Sequence, residues 1–227
     1  MTVKIKCLVV CVAAYALVGT AAAQTTWKLS RDLLATNNQI SFSQGSNGVW
    51  YFLRSNSLVH TPRSYEFLSA YYNPCVSDSA SHFVDGMACW QNPTPEGVYL
   101  IPLVGINATF GTQLVKNIPF PPRSVFMHPS NSELAIIAWK SPMNGLVHVS
   151  GFFSDLDPTG ATGIIWSVDR GTERLASGTV ANGGPPQTFD LADVAVKVGQ
   201  VLYFTVDPDQ GNDTSDSTGV DILITTQ

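Results

Sequence analysis

The sequence predicts an all-β fold, an antiparallel two-sheet β-sandwich of the jelly-roll kind. Three features indicate it: 18 glycines and 14 prolines interrupt the chain, only 13% of the residues are charged, and no long stretch has helical periodicity. Short apolar runs bounded by turn residues recur instead, which is typical of the strands of an antiparallel sandwich.

Seven of these apolar runs are predicted strands. In one of them Val147 and Val149 alternate with His148 and Ser150, as expected for a strand with one buried face. The predicted strands are residues 97–104, 134–139, 146–153, 163–168, 174–180, 200–206 and 219–225. The least regular part, residues 53–95, is predicted to form long loops over one end of the sandwich.

The N-terminus has the pattern of a cleavable signal peptide. Lys4 and Lys6 precede an apolar run at residues 7–18, and the small residues that follow end in Ala23. The alternative is a retained anchor, but the run is shorter than the roughly 20 residues that span a membrane. We therefore expect cleavage after Ala23, secretion, and a single domain over residues 24–227.

The net charge of the chain excludes some classes of binding partner. The formal net charge is −5, and no cluster of basic residues stands out. Nucleic acids and anionic membranes both attract Lys and Arg, so neither is an expected partner.

Cys75 and Cys89 are the two cysteines of the predicted mature chain. Because an exported protein meets an oxidising compartment, they are predicted to form a disulfide. The bond would close a polar loop that includes Ser77, Asp78 and Ser81.

Signatures of catalysis are missing from the sequence. It contains no nucleophile elbow, no His-Glu-x-x-His zinc motif, no P-loop and no dinucleotide fingerprint. A pair of carboxylates could still serve a glycoside hydrolase, but an acidic chain offers too many pairs to choose one.

One loop is rich in oxygen ligands. Residues 207–219 hold four carboxylates, Asp207, Asp209, Asp213 and Asp216, which form a candidate site for structural calcium. The spacing is not that of an EF-hand. The plainer interpretation, favoured because Asp is so common in turns, is a hairpin loop whose Asp side chains accept from nearby backbone amides.

Aromatic residues give a second candidate site. Sugar rings stack on aromatic planes while polar neighbours bind their hydroxyls. The candidates lie in the irregular region: Tyr71, Tyr72, Asn73, Trp90, Gln91 and Asn92. Core packing is the alternative for each aromatic, and it is the prediction for Trp50, Trp139 and Trp166.

Several short segments, taken in order, resemble a known family. They are Phe42-Ser43, Asn47-Gly48-Val49-Trp50-Tyr51, Met127-His128-Pro129, Ala138-Trp139-Lys140-Ser141-Pro142, Val149-Ser150-Gly151-Phe152-Phe153, Gly199-Gln200-Val201-Leu202-Tyr203-Phe204 and Asp216-Ser217-Thr218-Gly219. This order is similar to that of an uncharacterised β-sandwich domain of secreted bacterial proteins, often found with a PEP-CTERM sorting tail.

The resemblance covers the chain from about Trp27 to its end. It implies a jelly-roll-like fold and an extracellular site, and no established activity. Lys140 and Ser141 stand where the family has Arg and Thr. Because the chain ends Ile224-Thr225-Thr226-Gln227 without the apolar tail, we expect release rather than sorting to the surface. His128, in the most characteristic segment, fits a turn-stabilising role as well as a ligand-binding one.

Three functions fit the sequence. The first is non-catalytic binding of an extracellular carbohydrate. The second is a structural or matrix protein that self-assembles or binds protein partners through exposed edges. The third is glycoside hydrolysis by a carboxylate pair. A groove beside exposed aromatics would favour the first, an unprotected edge or large apolar patch the second, and two buried facing carboxylates the third.

Overall fold

The computed structural model describes residues 24–34, 44, 48–76, 83–92, 100–160 and 162–227. Within these ranges the protein consists of strands, one short helix, α1 (Leu29–Leu33), and 3₁₀ turns at Pro62–Ser64 and Asp209–Gly211. No helix in the same ranges is long and apolar enough to cross a membrane. The predicted signal peptide, residues 1–23, lies outside the described residues.

The strands follow one another closely along the chain. They are β1 (Thr26–Lys28), β2 (Trp50–Arg54), β3 (Glu66–Phe67), β4 (Ala70–Tyr72), β5 (Cys75–Val76), β6 (Phe83–Val84), β7 (Met87–Gln91), β8 (Leu103–Asn107), β9 (Gln113–Val115), β10 (Ile118–Phe120), β11 (Val125–His128), β12 (Ala135–Lys140), β13 (Gly145–Asp155), β14 (Ile164–Arg170), β15 (Glu173–Val180), β16 (Gln187–Val196), β17 (Val201–Pro208) and β18 (Thr218–Thr226).

Two antiparallel sheets face each other. The larger sheet has the order β16-β13-β18-β11-β8-β7-β4, with β1 also paired to β18. The smaller sheet has the order β15-β14-β17-β12-β2-β3. Two hairpins, β5–β6 and β9–β10, stand outside the sheets. The predicted two-sheet antiparallel sandwich is confirmed.

The main core fills the space between the sheets, where inward-pointing residues of both are apolar. Phe153 of β13 and Trp166 of β14 stack across it, with ring centroids 5.3 Å apart. Trp139 of β12 is fully buried, and its ring lies edge-on to Trp27 at 5.2 Å. Trp50 is buried as well. The structural roles predicted for Trp50, Trp139 and Trp166 are confirmed.

Each sheet also carries apolar residues on part of its outer face. On the smaller sheet, Leu58 and Tyr65 of the β2–β3 connection pack over a cluster that contains Ile136. On the larger sheet, Ile118 of the β9–β10 hairpin packs over a cluster that contains Phe126. These two satellite clusters explain why strands such as β7 and β12 are buried on both faces.

Six of the seven predicted strands are confirmed, as β12, β13, β14, β15, β17 and β18. The strand predicted over 97–104 is wrong for residues 100–102, which are not in a strand, and it overlaps β8 only at Leu103 and Val104. Residues 93–99 lie outside the described residues.

The prediction of long loops over residues 53–95 is wrong in one important part. Strand β7 lies inside the larger sheet, between β4 and β8, and all five of its residues are buried. Because both of its faces are covered, its sequence lacks the period-two alternation that identifies a half-exposed strand.

The edge strand β16 was not predicted. It carries exposed polar and charged residues at Thr188, Asp190 and Asp193, and the pairing shifts register opposite Val147 and Val149. The shift interrupts the alternation, so no continuous strand pattern appears in the sequence.

The predicted disulfide between Cys75 and Cys89 is confirmed, with the two Cα atoms 5.2 Å apart. It fastens the β5–β6 hairpin to the outer face of β7. The polar loop that it was predicted to close includes residues 77–82, which lie outside the described residues.

Candidate functional site

A cleft of about 340 Å³ lies on the outer face of the larger sheet. Its floor is apolar and is formed by Met87 and Cys89 of β7, Leu103 of β8 and Phe126 of β11. We call this feature the cleft. Its volume is in the lower part of the range for small-ligand pockets, roughly 300–1,000 Å³.

The β9–β10 hairpin forms one wall of the cleft. Val115, Lys116, Ile118 and Phe120 all line it. The hairpin packs on the floor, so Met87, Cys89 and Phe126 are buried, and the apolar lining residues that stay partly exposed are Leu103, Val115 and Ile118. A cleft with an apolar floor is the result.

The floor depends on a glycine. Gly105 of β8 lies between β7 and β11 in the sheet. A Cβ on Gly105 would lie 2.3 Å from Cζ of Phe126 and 2.7 Å from Sγ of Cys89. The absence of a side chain at this position therefore lets the Phe126 ring lie flat over the strand.

One end of the cleft is polar. It is lined by His128, Asp157, Asp213, Thr214, Ser215 and Ser217. Asp157 and Asp213 come from two different connections, β13–β14 and β17–β18, and the charges of both act on His128. Two carboxylates, an imidazole and hydroxyl groups thus stand beside the apolar floor.

The tautomer of His128 follows from its hydrogen bond. Its Nδ1 lies 2.7 Å from the Pro129 carbonyl oxygen, and since a carbonyl can only accept, Nδ1 carries the proton. Burial lowers the pKa of His128, which keeps the ring neutral. A neutral ring with Nδ1–H has an unprotonated Nε2, which is a hydrogen-bond acceptor. His128 therefore has both a turn-stabilising bond and a place in the cleft.

The structure places Trp90 in the core rather than in a binding surface. Only 2% of Trp90 is exposed, and its ring centroid lies 4.5 Å from that of Phe52 and 5.1 Å from that of Tyr71. The stacking role predicted for Trp90 is wrong for this reason. Tyr71 is partly buried and packs against the same cluster, so its ring is also a core contact.

The remaining members of the predicted ligand set are dispersed. Asn92 is buried, and its amide donates to the Ile101 carbonyl at 3.3 Å and to Glu133 at 3.1 Å, which is a structural role. Tyr72 and Asn73 lie at the edge strand β4 and do not line the cleft. Gln91 does line the cleft, where its amide donates to the Leu100 carbonyl.

Sequence analysis missed most of the cleft. Its floor residues are apolar and sit in strands, where core packing is the ordinary interpretation. The β9–β10 hairpin was not identified, although the polar residues Lys116-Asn117 separate the short apolar segments 114–115 and 118–120. The one useful signal was the Met127-His128-Pro129 segment.

The predicted metal ligands are separated in space. Asp207 faces His60, with its Oδ2 3.6 Å from His60 Nε2. Asp213 lines the cleft, Asp209 begins a 3₁₀ turn, and Asp216 is buried. Among the residues that the structure describes, no three His, Cys, Asp or Glu side chains are grouped as ligands of one metal ion.

Some of the acidic residues in these connections stabilise Asx turns. The Asp155 carboxylate accepts from the Asp157 N–H at 2.8 Å, and the Asp157 carboxylate accepts from the Thr159 N–H at 3.3 Å. Asn212 accepts from the Thr214 N–H at 3.2 Å in the same way. These are the turn-stabilising bonds that the plainer interpretation predicts.

Asp216 is different, because its carboxylate is 2% exposed and neither oxygen has a hydrogen-bond partner. Burial raises the pKa of Asp216 to about 8, and the neighbouring charges of Asp213, Asp155 and Asp209 contribute to the rise. An unpartnered buried carboxylate needs a specific explanation.

A second polar cluster lies on the outer face of the smaller sheet. His60 Nδ1 is 3.6 Å from Asp169 Oδ2, so the ring lies between Asp169 and Asp207. The neighbouring carboxylates of Asp169 and Asp207 raise the pKa of His60, against the opposing effects of burial and Arg174. The cluster connects the β2–β3 connection to strands β14 and β17.

Comparison with known proteins adds only distant similarities. No family model matches the chain, and no curated protein matches it. Among solved structures, a CBM51 domain from Clostridium perfringens GH95, solved with methyl-galactose, is 10% identical with a TM-score of 0.39. The match covers 70% of this chain and 93% of that one.

Two further similar structures come from Clostridium perfringens ZmpB. The structure of its CBM51-2 and INT domains is 11% identical over 70% of this chain and 30% of that one, with a TM-score of 0.39. The structure of its M60 catalytic domain with two CBM51 domains is 15% identical with a TM-score of 0.37. The match covers 67% of this chain and 13% of that one.

Proposed function

We propose that the protein is a secreted, non-catalytic carbohydrate-binding module whose ligand occupies the cleft. The observation that carries the proposal is the combination of an apolar floor with a polar end in one cavity of about 340 Å³. A sugar ring has an apolar C–H face and a rim of hydroxyl groups, and the cleft offers a complement to both.

Each part of the cleft has a role in this proposal. The C–H face of the sugar packs on the partly exposed side chains of Leu103, Val115 and Ile118, where it displaces water from apolar surface. The hydroxyl groups donate to the Asp157 and Asp213 carboxylates and to Nε2 of His128. Hydrogen bonds to charged acceptors are the stronger kind, so the carboxylates orient the ring.

Hydrolysis is less well supported than binding. A glycosidase needs a general acid with a raised pKa beside the scissile bond. Asp216, a carboxyl group with a raised pKa, does not line the cleft.

Self-assembly through the sheet edges or faces is also less well supported. Strand β16, at the edge of the larger sheet, carries exposed Asp190 and Asp193 and pairs with a register shift, features that protect an edge from pairing with another chain. On the outer face of the same sheet, exposed Phe152 pairs with Asp221 and exposed Leu223 pairs with Ser150. Apolar and polar residues alternate there instead of forming one apolar patch.

Secretion is part of the proposal. It rests on the signal-peptide pattern of residues 1–23 and on the Cys75–Cys89 disulfide, a bond that persists in oxidising compartments. N-terminal sequencing of protein recovered from the culture medium tests this part, and the expected first residue is Gln24.

The test of binding is retention of the purified protein on a panel of insoluble polysaccharides, followed by calorimetry with fragments of any polymer that retains it. Thr214→Trp places a large side chain at the exposed, polar end of the cleft and should abolish retention. Thr172→Trp makes the same change in the exposed β14–β15 turn and should leave retention unchanged. Equal retention of both variants, or no retention of the unmodified protein by any polymer, would overturn the proposal.

A further inference from the structure

Three connections between the sheets meet at one end of the sandwich. They are β13–β14, β15–β16 and β17–β18, and each crosses from one sheet to the other. Contacts tie them together: the Gly183 N–H donates to Asp155 Oδ2 at 2.6 Å, and the Leu156 N–H donates to the Ser217 carbonyl at 2.9 Å. The Asp209 N–H also donates to the Gly163 carbonyl at 3.4 Å.

Each connection contributes a buried side-chain oxygen that has no hydrogen-bond partner. They are Oγ1 of Thr162, Oδ1 of Asn182 and both carboxylate oxygens of Asp216. Leaving a buried polar group unpartnered costs about 1–3 kcal/mol, and more for a charged one. Three such groups at one end of the fold therefore indicate a shared partner rather than three separate defects.

Local contacts show that the three connections lie against one another. A Cβ on Gly160 would lie 2.3 Å from Ser215 Oγ and 3.3 Å from Asn182 Nδ2, so Asn182 and the residue before Asp216 approach the same backbone position. A Cβ on Gly163, the residue after Thr162, would lie 2.9 Å from the Asn182 backbone nitrogen. The three connections thus pack on one another with little space for side chains between their backbones.

The negative charge around Asp216 favours the binding of a cation. Asp216 is buried, and the carboxylates nearest to it in electrostatic effect are Asp213, Asp155 and Asp209. A buried carboxylate surrounded by other anions is unfavourable, and either protonation or a bound positive charge relieves it.

We propose that the three connections together bind one calcium ion, held by the Asp216 carboxylate, Asn182 Oδ1 and Thr162 Oγ1. Calcium takes about 6–8 oxygen ligands of mixed kind from loops, so backbone carbonyls and water complete the shell. The proposed ligands are one carboxylate, one amide oxygen and one hydroxyl, so the site is not a group of three acidic side chains. All three ligands are oxygens, which calcium prefers, whereas zinc selects nitrogen and sulfur ligands.

This site differs from the one predicted within residues 207–219. Asp207 is excluded as a ligand because it faces His60, and ligands from two distant parts of the chain, Thr162 and Asn182, replace the acidic residues of the loop. The inference does not depend on the proposed function. The β17–β18 connection also supplies Asp213 and Thr214 to the cleft, so the ion would hold the polar end of the cleft in place.

The experiment is calorimetric titration of the purified, chelator-treated protein with calcium chloride, with magnesium chloride as the comparison. One calcium per chain should bind, and its addition should raise the melting temperature. Asp216→Asn should weaken calcium binding at least tenfold. It should also leave the calcium-free protein at least as stable as before, because an amide of similar size replaces a buried carboxyl group that has no hydrogen-bond partner. This variant therefore separates binding from folding.

Two further variants locate the site. Asn182→Ala should also weaken calcium binding about tenfold, because its oxygen comes from a second connection. Asp190→Asn makes the same chemical change as Asp216→Asn on the exposed face of β16 and should bind calcium normally. No calcium binding by the unmodified protein would overturn the proposal. Binding that is lost in Asp216→Asn and kept in Asn182→Ala would also overturn it, in favour of a site within the β17–β18 connection alone.

Discussion

Gly105 lies directly beneath the ring of Phe126, so close that a Cβ at position 105 would come within 2.3 Å of the ring. Strands β7, β8 and β11 are neighbours in the larger sheet, and the ring crosses the middle one. The apolar floor of the cleft exists because β8 has no side chain at this point. Gly105 is therefore a shape-determining residue of the cleft.

Substitution Gly105→Ala should push the Phe126 ring into the cleft. We expect a loss of stability of about 1–3 kcal/mol from overpacking, and a loss of carbohydrate affinity because the floor is raised. Urea unfolding measures the first effect and calorimetry the second. Gly111→Ala is the matched control, since no atom lies within 4 Å of a Cβ at Gly111. If Gly105→Ala behaves like Gly111→Ala in both measurements, the floor is not formed as described.

His128→Phe should weaken carbohydrate binding about tenfold. The substitution keeps an aromatic ring but removes Nε2, the acceptor at the polar end of the cleft, and one hydrogen bond is worth about 0.5–1.5 kcal/mol. His148→Phe is the control, because His148 is bonded to Asp190 on another part of the sheet. Calorimetry with the same ligand should show the loss only for His128→Phe. Unchanged affinity would remove His128 from the site.

Sequence analysis recovers the strands that have one buried face, because alternation with a period of two is visible in the chain itself. The pattern of β13, where Val147 and Val149 point inward, is an example. It fails for β7, because the β9–β10 hairpin and the disulfide cover its outer face and no alternation remains. The burial of Trp90 could not be predicted either, because one of the residues that pack on its ring, Phe52 of the facing sheet, is distant from it in the sequence.

Residues of the candidate sites could be predicted only where they belong to one segment with a recognisable sequence pattern. Asp216 belonged to the acidic loop that the sequence singles out, and His128 to a recognisable segment. Thr162 and Asn182 are ordinary loop residues in the sequence, and the crossing of three connections places them at the same end of the fold as Asp216. The cleft likewise combines residues from β7, β8, β11 and a hairpin, so its existence is a property of the sheet order.

Removal of the disulfide should affect both stability and binding. A Cys75→Ser, Cys89→Ser double variant should lose about 2–4 kcal/mol of stability, because the unfolded chain is no longer constrained. Both sulfurs also line the cleft, so carbohydrate affinity should fall as well. Urea unfolding and calorimetry measure the two effects. A reducing agent should destabilise the unmodified protein and leave the double variant unchanged; if it leaves both unchanged, the bond does not contribute to stability.

The position of His60 between Asp169 and Asp207 predicts how stability depends on pH. The pKa of His60 in the folded protein is raised above 6.5, chiefly by the neighbouring carboxylate of Asp169 and then by that of Asp207. The folded protein thus binds a proton more tightly than the unfolded chain does. The stabilisation is fully present below pH 6.5 and is lost as the pH rises through the higher pKa of the folded state.

Replacement of His60 by glutamine removes this titration. The free energy of unfolding of the unmodified protein should therefore fall more steeply above pH 6.5 than that of His60→Gln, and urea unfolding across this range measures the difference. His148→Gln serves as the control, because it removes a histidine on the other sheet, and it should keep the steeper slope. Parallel curves for the unmodified protein and His60→Gln would mean that the two carboxylates do not hold a charged His60. The β2–β3 connection would then be held over the smaller sheet by the packing of Leu58 and Tyr65 alone.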